Sequence, residues 1–260
     1  MRVSLCQLNI AFENKKINTL SVEKFICQSA EMDADIVFFP EMTLTGFSMN
    51  VSVIGDKNSE TVDLMKRLCD KYKIAVGFGW VKSLSGMGEN HYTVVDRNAK
   101  VVSDYIKIHP FSYSGENKYY YPGESVSMFE MCGKKISTFV CYDLRFPEIF
   151  RAVSMECEII AAAANWPKQR ISHWKKLLEA RAVENQCWML GVNCVGEQQG
   201  SVYNGCSRIV SPMGDVVCSL ENEEGILVYD LSDEASELRK NFPVNKDRRT
   251  ELYRELFKKL

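Results

Sequence analysis

The chain runs twice through one order of segments, and that order limits its architecture more than any other feature. In the first half, residues 2–9 read as a strand. Val22, Phe25, Ile26 and Ala30 then recur at i, i+3, i+4 and i+8, the period of an amphipathic helix over about 16–31. DIVFFP at 35–40 is a short buried strand, Val62, Met65, Cys69 and Tyr72 mark a second helix, and KIAVGFGW follows as a strand. Two further strands flank the turn-like Asp96-Arg97-Asn98-Ala99, while Ser83 to Glu89 reads as a loop with Asn90 reopening the sheet. The second half repeats the order with the strand KKISTFV, a helix from Pro147, the strand EIIAAAA, a long helix over about 171–186 and the strand CWMLGVN. Strands around 202–210, 215–219 and 225–230 close the chain, joined by the turn Ser211-Pro212-Met213-Gly214-Asp215.

Strands alternating with helices of this length call for an α/β architecture, with sheets largely covered by helices. The repeated order suggests internal pseudo-symmetry, although the halves share no obvious sequence period. The alternation alone leaves open a single doubly wound sheet or two sheets packed face to face. Residues 1–260 are expected to form one domain, since no low-complexity segment or linker interrupts them and a chain of 260 residues can bury one substantial core.

Composition narrows the function classes. Hydrophobic residues make up 46% and charged residues 25%, and no apolar run approaches the roughly 20 residues that span a bilayer, so no membrane partner is expected. A net charge of −2 gives no bulk attraction to nucleic acid, and the one basic cluster, Lys246 with Arg248 and Arg249, is interrupted by Asp247. Any anionic substrate must therefore be held by a few local cations. The N-terminal MRVSLCQLNI lacks the apolar stretch and small-residue cleavage site of a secretory signal. Ten cysteines are scattered without a CxxC pair or metal-like Cys/His spacing, which points to reduced thiols in the cytoplasm and to no metal site.

Three reactive side chains fall at equivalent places, just beyond the carboxyl ends of strands, where α/β proteins assemble their sites. Glu41 follows DIVFF, Lys107 follows VVSDYI and Cys141 follows KISTFV. Cys141 is succeeded by YDLRFPEIFR, in which Pro147 suits the first position of a helix, so the thiol sits on a strand-to-helix turn that projects it outward beside backbone N–H groups. A buried structural thiol is the ordinary fate of a cysteine, and location alone does not single out a nucleophile. A nucleophilic thiol also needs a base, because its unperturbed pKa of about 8.5 leaves little thiolate at neutral pH. Among His91, His109 and His173, His109 lies two residues beyond Lys107 and leaves a Cys/His pair open. Glu41 is the other candidate, a carboxylate set directly after a buried strand and a proline, where partial desolvation favours proton transfer. Taken singly, Glu41 and Lys107 read more readily as solvated strand-end charges than as catalytic groups. Oxidation sensing by Cys141 is a further possibility that would need a resolving cysteine, and neither Cys132 nor Cys157 can be placed beside it from sequence.

The combination changes this balance. PEMTLTGF, KIHPF and VCYDLRFPEIFR, in this order, resemble the Glu-Lys-Cys signatures of the nitrilase superfamily of carbon–nitrogen hydrolases, and YPGE, RAVENQCWMLGVN and SPMGD extend the resemblance over nearly the whole chain. The resemblance implies a four-layer αββα sandwich with internal pseudo-two-fold symmetry, a homodimer, and hydrolysis through a cysteine thioester without cofactor. It implies Cys141 as nucleophile, Glu41 as acid and base, Lys107 as oxyanion holder together with the backbone N–H of Tyr142, and Glu116 in SYSGENKYYYPG as a second glutamate that orients Lys107 and the substrate or water.

Within the superfamily, VCYDLRFPE, ANWPKQRISHWKKLLEARAVENQ and NFPVNKDRRTELY resemble the bacterial omega-amidases, which release ammonia from 2-oxoglutaramate and 2-oxosuccinamate. A short dicarboxylic monoamide needs a cation for its free carboxylate. Arg145, four residues after Cys141, can supply a bidentate contact, or else pair with Glu148 or an interface acid. Trp166, at the end of EIIAAAAN, can wall the pocket against the substrate's carbon chain or serve ordinary packing. His173 and Trp174 open a helix whose Trp174, Leu177, Leu178 and Arg181 share a face, and helix packing or a dimer interface accounts for them. Deaminated glutathione, an N-carbamoyl amine or another short amide remain alternative substrates, and a catalytically idle adaptor is the alternative of a different class.

Overall fold

The computed structural model describes residues 1–258. Its strands fall into two sheets of seven. The first half supplies β1 (Arg2–Gln7), β2 (Ile36–Phe38), β3 (Ala75–Ser83), β4 (Gly88–Val95), β5 (Val101–Ile106) and β6 (Tyr120–Tyr121). The second supplies β7 (Met128–Met131), β8 (Lys134–Val140), β9 (Ile159–Ala163), β10 (Trp188–Val192), β11 (Val195–Gln198), β12 (Ser201–Val210) and β13 (Val216–Glu221), after which β14 (Gly225–Asp230) returns to the first sheet. In the first sheet the parallel trio β1, β2, β3 is flanked by antiparallel β14 and β4. In the second the parallel trio β8, β9, β10 is flanked by antiparallel β7 and β12. The pseudo-symmetry expected from the element order is thus present as equal strand order in two sheets, which excludes the single doubly wound sheet.

Burial explains why the sheets stack. Side chains alternate across a strand. In β1 and the β2 segment, Val3, Leu5, Ile36 and Phe38 enter the cluster shared with Ile160, Ala162, Leu190 and Ile209 of the other sheet. Cys6, Val37 and Phe39 point the other way, onto Val22, Phe25 and Ile26 of α1 (Lys15–Glu31) and Met65 and Cys69 of α3 (Glu60–Tyr72), a short α2 (Val51–Ile54) lying between these helices in the chain. On the far side, α4 (Pro147–Val153) and α5 (Ile171–Asn185) bury Phe150, Val153, Trp174, Leu178 and Ala182 completely. The order is helix, sheet, sheet, helix. A Cβ at Gly191 would stand 2.3 Å from Leu178, so glycine in β10 is what lets α5 pack this closely. Each large apolar side chain buried there contributes about 1.5–3 kcal/mol, and together they fix the helix whose first turn borders the cavity described below. No helix among the described residues is long and apolar enough to cross a membrane.

Several elements escape sequence reading. β6, β7, β11 and α2 have four residues or fewer, too few to display a period, and the C-terminal α6 (Glu234–Asn241) and α7 (Thr250–Phe257) are largely exposed. The expected loop from Ser83 to Glu89 is shorter than its composition suggests. β3 continues through Ser83, and β4 already begins at Gly88, with Glu89 opposite Lys82.

Candidate active site

The three strand ends converge. Glu41 follows β2 after Phe39 and Pro40, and its main chain lies directly on β3: a Cβ at Gly79 would come within 2.3 Å of the Met42 nitrogen and 2.9 Å of Glu41. Thr43 ties the same segment down, donating its N–H to the Gly79 carbonyl (2.9 Å) and accepting the Gly79 N–H on Oγ1 (2.9 Å). Glu41 is wholly buried, with Oε1 accepting from Lys107 Nζ (2.8 Å) and Asn90 Nδ2 (2.9 Å) and Oε2 from the Asn165 backbone N–H (3.1 Å). Lys107, one residue past β5 and 1% exposed, also donates to Glu116 Oε2 (2.9 Å) and Oε1 (3.1 Å) and lies 5.4 Å from the Phe47 ring centre. Glu116, buried too, is held further by the Phe111 N–H and by Asn90 Nδ2 at 3.2 Å.

Cys141 directly follows β8 and lies in the left-handed region, with φ of 48°. A side chain other than glycine is costly there, of order 1–3 kcal/mol, and persists where surrounding contacts enforce it. Asp143, two residues on and fully buried, supplies them: Oδ2 accepts from the Val140 N–H (3.1 Å) and the Tyr105 hydroxyl (2.8 Å), and Oδ1 from the His109 N–H (3.0 Å) and Nδ1 (2.8 Å). One carboxylate therefore clamps the Cys141 turn to the chain that carries Lys107. Pro147 opens α4 immediately behind.

Electrostatics follow from this crowding. Burial and the Glu41 carboxylate push the Cys141 thiol well above its ordinary value, while Lys107 pulls the other way. Burial by itself would lower Lys107, but Glu116 and Glu41 outweigh it and hold the ammonium well above the usual lysine range. Glu116 is raised by burial and by Glu41, with Lys107 opposing. The Cys141 thiol thus sits beside a cation shared by Glu41 and Glu116.

Above these groups opens a cavity of about 270 Å³, lined by Cys141 and Lys107 below and by Tyr142, Arg145, Trp166 and Arg170 at its sides, among others. Arg145 forms no ion pair with Glu148. Its guanidinium instead lies 4.7 Å from the Trp166 ring centre and 3.4 Å from His173 Nδ1. Trp166 combines wall and packing, donating its indole N–H to the Arg170 carbonyl at 2.8 Å while 2% exposed. Trp174 is a buried packing residue, as expected, whereas His173 borders the cavity through Arg145. His109 does not pair with Cys141; it stacks on Phe146, ring centres 3.8 Å apart, and bonds Asp143. Cys132 is exposed and Cys157 sits in the core, and neither lines this cavity.

Asn90, Asp143, Asn165 and Arg170 were not singled out from sequence. Asn90 is the one whose single amide bridges both buried glutamates, from β4. Asn90→Ala strips a donor from each carboxylate, and hydrogen bonds to charged groups are worth about 1.5–3 kcal/mol. The expected loss is about 2 kcal/mol of unfolding free energy, read from urea denaturation; a loss under about 0.5 kcal/mol would refute this account of the site's stability.

Comparison with known proteins bears on this geometry. A family model described as carbon-nitrogen hydrolase matches residues 2–240. The 2-oxoglutaramate amidase of Bacillus subtilis (strain 168) is 32% identical over 257 residues, covering 96% of this chain and 98% of that protein. A Staphylococcus aureus protein described as hydrolase in agr operon is 30% identical, covering 98% of this chain and all of its own length. Among solved structures, XC1258 from Xanthomonas campestris, a CN-hydrolase superfamily protein with an arsenic adduct in its active site, superposes with a TM-score of 0.90 at 26% identity, covering 95% of this chain and 97% of its own. The chain belongs to the carbon–nitrogen hydrolase family of the nitrilase superfamily and is a hydrolase of non-peptide carbon–nitrogen bonds.

Proposed function

We propose that this enzyme is an omega-amidase, hydrolysing a short dicarboxylic monoamide such as 2-oxoglutaramate or 2-oxosuccinamate to the diacid and ammonia. One observation carries the reading: a small cavity has Cys141 and Lys107 at its floor, with Glu41 bonded to Lys107 behind them, and the Arg145 guanidinium, without an acid partner among the described residues, on its wall. A volume of about 270 Å³ suits a substrate of few heavy atoms. The likeness to the Bacillus subtilis 2-oxoglutaramate amidase supports the same class.

In this reading Arg145 takes the free carboxylate with two parallel N–H donors, and the Trp166 face lies along the carbon chain. Glu41 accepts the thiol proton as Cys141 Sγ attacks the amide carbon. The developing oxyanion meets Lys107 Nζ and the Tyr142 backbone N–H, preorganised donors whose removal commonly costs about 3–4 kcal/mol each. Glu41 then gives its proton to the departing nitrogen, the C–N bond breaks, and ammonia leaves a thioester on Cys141. Water loses a proton to Glu41 and attacks the thioester; the C–S bond breaks, and the proton returns to sulfur. Glu116, bonded to Lys107 through both oxygens, keeps the ammonium aimed at the oxyanion position.

Ammonia release across 2-oxoglutaramate, 2-oxosuccinamate, deaminated glutathione and N-carbamoyl amines tests the substrate. The expected kcat/KM for the two short acids exceeds that for N-carbamoyl amines, which offer no such carboxylate, by about 100-fold, a charge-paired contact being worth roughly 2–3 kcal/mol, and deaminated glutathione, which keeps the carboxylate, is slowed by its bulk in the small cavity; preference for the bulkier pair would reject the reading. A homodimer in the cytoplasm belongs to the same proposal. Ten free thiols support a reducing compartment. Exposed apolar side chains on α7, Leu252, Leu256 and Phe257, support an associating surface. Light scattering at the mass of two chains is the expected result, and a monomer at micromolar concentration would overturn it.

A further inference from the structure

We propose that Arg170 is a specificity-determining residue of this cavity, a second guanidinium that binds the 2-oxo group beside the carboxylate held by Arg145 and repels the α-ammonium of an amino-acid amide. The inference rests on the omega-amidase reading and names which member of that substrate class the cavity favours.

Placement comes first. Arg170 ends the turn Lys168–Arg170 that leads into α5, and its carbonyl accepts the Trp166 indole N–H at 2.8 Å. Trp166 is in turn fixed through its backbone N–H to Asn193 Oδ1 at 2.7 Å. The main chain of Arg170 is therefore pinned at the cavity wall, and the residue lines the cavity. The guanidinium lies 5.4 Å from the Phe111 ring centre, as that of Arg145 lies 4.7 Å from Trp166, so each cation rests on an aromatic face of the same cavity.

Among the described residues, the arginines in ion pairs are Arg2, Arg97, Arg181, Arg208 and Arg254. Arg145 and Arg170 are in none, although both are half-buried. They also sense each other: burial lowers Arg145 from its ordinary value, and the charge of Arg170 lowers it further. Two cations drawn together without a counter-ion are unfavourable unless a ligand supplies one. The carboxylates below cannot do so, because Glu41 and Glu116 are committed to Lys107 and Asn90.

A simple carboxylate is satisfied by one guanidinium in bidentate contact. A 2-oxo acid presents an additional acceptor on the adjoining carbon, which gives the second guanidinium a partner. An α-amino acid amide places an ammonium at that position. It would face two fixed positive charges and find no free carboxylate, a device that excludes a competitor by repulsion rather than by fit.

Arg170→Gln tests this, since the fold-anchoring bond comes from the backbone and the variant is expected to keep the wild-type melting temperature. Ammonia release is measured for wild type, Arg170→Gln and Arg145→Gln on 2-oxoglutaramate, on glutaric acid monoamide, which has the same length without the oxo group, and on glutamine. In Arg170→Gln the ratio of kcat/KM for 2-oxoglutaramate over glutaric acid monoamide is expected to fall about 30-fold, with glutamine gaining relative to both. In Arg145→Gln both acids fall together and their ratio holds. An unchanged ratio in Arg170→Gln overturns the proposal while leaving the omega-amidase reading in place. Wild-type enzyme that spares both acids and hydrolyses neutral amides overturns that reading, and this proposal with it.

Discussion

Cys141→Ala is expected to lower ammonia release by at least about 10⁴-fold, because removing the proposed nucleophile forfeits the proposed covalent route and leaves only the oxyanion donors and substrate binding. The same substitution is expected to change stability by less than about 1 kcal/mol. The thiol's hydrogen-bonding contact is a long one, 4.0 Å from the Asn165 carbonyl, and alanine meets the left-handed turn on the same terms as cysteine. Cys141→Gly separates the two effects further. Glycine tolerates a φ of 48° without strain, so this variant is expected to be equally inactive yet about 1 kcal/mol more stable than Cys141→Ala. Urea denaturation and an ammonia assay on the three proteins check both statements. Residual turnover above a few per cent in either variant would remove Cys141 from the role proposed for it.

These expectations draw on features that differ in how far the sequence reveals them. The Cys141 turn is legible because a β-branched strand, a short polar step and Pro147 occupy a dozen consecutive residues, and each has a local conformational meaning. Glu41 and Lys107 are legible as strand-end charges, but their meeting depends on the pairing of β2, β3, β4 and β5, a contact over 66 residues that no local pattern encodes. Glu116 lies in a turn whose sequence reads as solvated loop, and only the family resemblance drew attention to it. Asn165 gives the Glu41 carboxylate its backbone N–H, a donor every residue but proline carries, while its side-chain amide reaches the Glu41 carbonyl, so residue type alone says little about this role. Asn90 looks like a polar interruption at the mouth of a strand until β4 is seen to pass beneath both carboxylates. Asp143, beside the cysteine, reads as an exposed acid of the turn, and its burial is decided by Tyr105 and His109, which arrive from the other sheet's edge. The fold was more accessible than the site because the period of apolar residues repeats along each element, whereas the site is made once, from single residues brought together by both sheets.

Lys107→Met is expected to be the most damaging substitution to fold and activity together. In the native protein one ammonium, 1% exposed, is the cation shared by two fully buried carboxylates, which otherwise share only the neutral Asn90 amide. Breaking such a group by removing one partner typically costs about 3–5 kcal/mol, since the remaining charges are buried without compensation. The pH dependence follows from the shifts. Lys107 is raised in the folded state, so the stability it contributes is present at all pH values below the unfolded lysine's pKa of about 10.4 and is lost only as pH rises toward the folded value. Wild-type protein therefore keeps this contribution across the neutral range. Glu116 is already raised in the native protein by burial and by Glu41, with Lys107 opposing; in the variant that opposition is gone, only the neutral Asn90 amide lies between the two glutamates, and their repulsion drives one of them further toward holding a proton. Its folded pKa then lies above the unfolded value of about 4.3, so the variant binds more protons folded than unfolded and loses stability as pH rises, by up to about 1.4 kcal/mol per unit. The stability gap between wild type and Lys107→Met is accordingly expected to be narrower at pH 5.5 than at pH 7.5. Turnover is expected to fall about 10³-fold or more even where the variant is folded, because the oxyanion loses its cation and the thiol loses the one neighbour that favours its ionisation. Lys107→Arg keeps the charge but not the volume in a fully enclosed position, and is expected to recover part of the stability with little of the activity. Denaturation curves at the two pH values decide the matter: an equal gap at both, or a variant within about 1 kcal/mol of wild type, would mean that the two carboxylates do not depend on Lys107 for their charge.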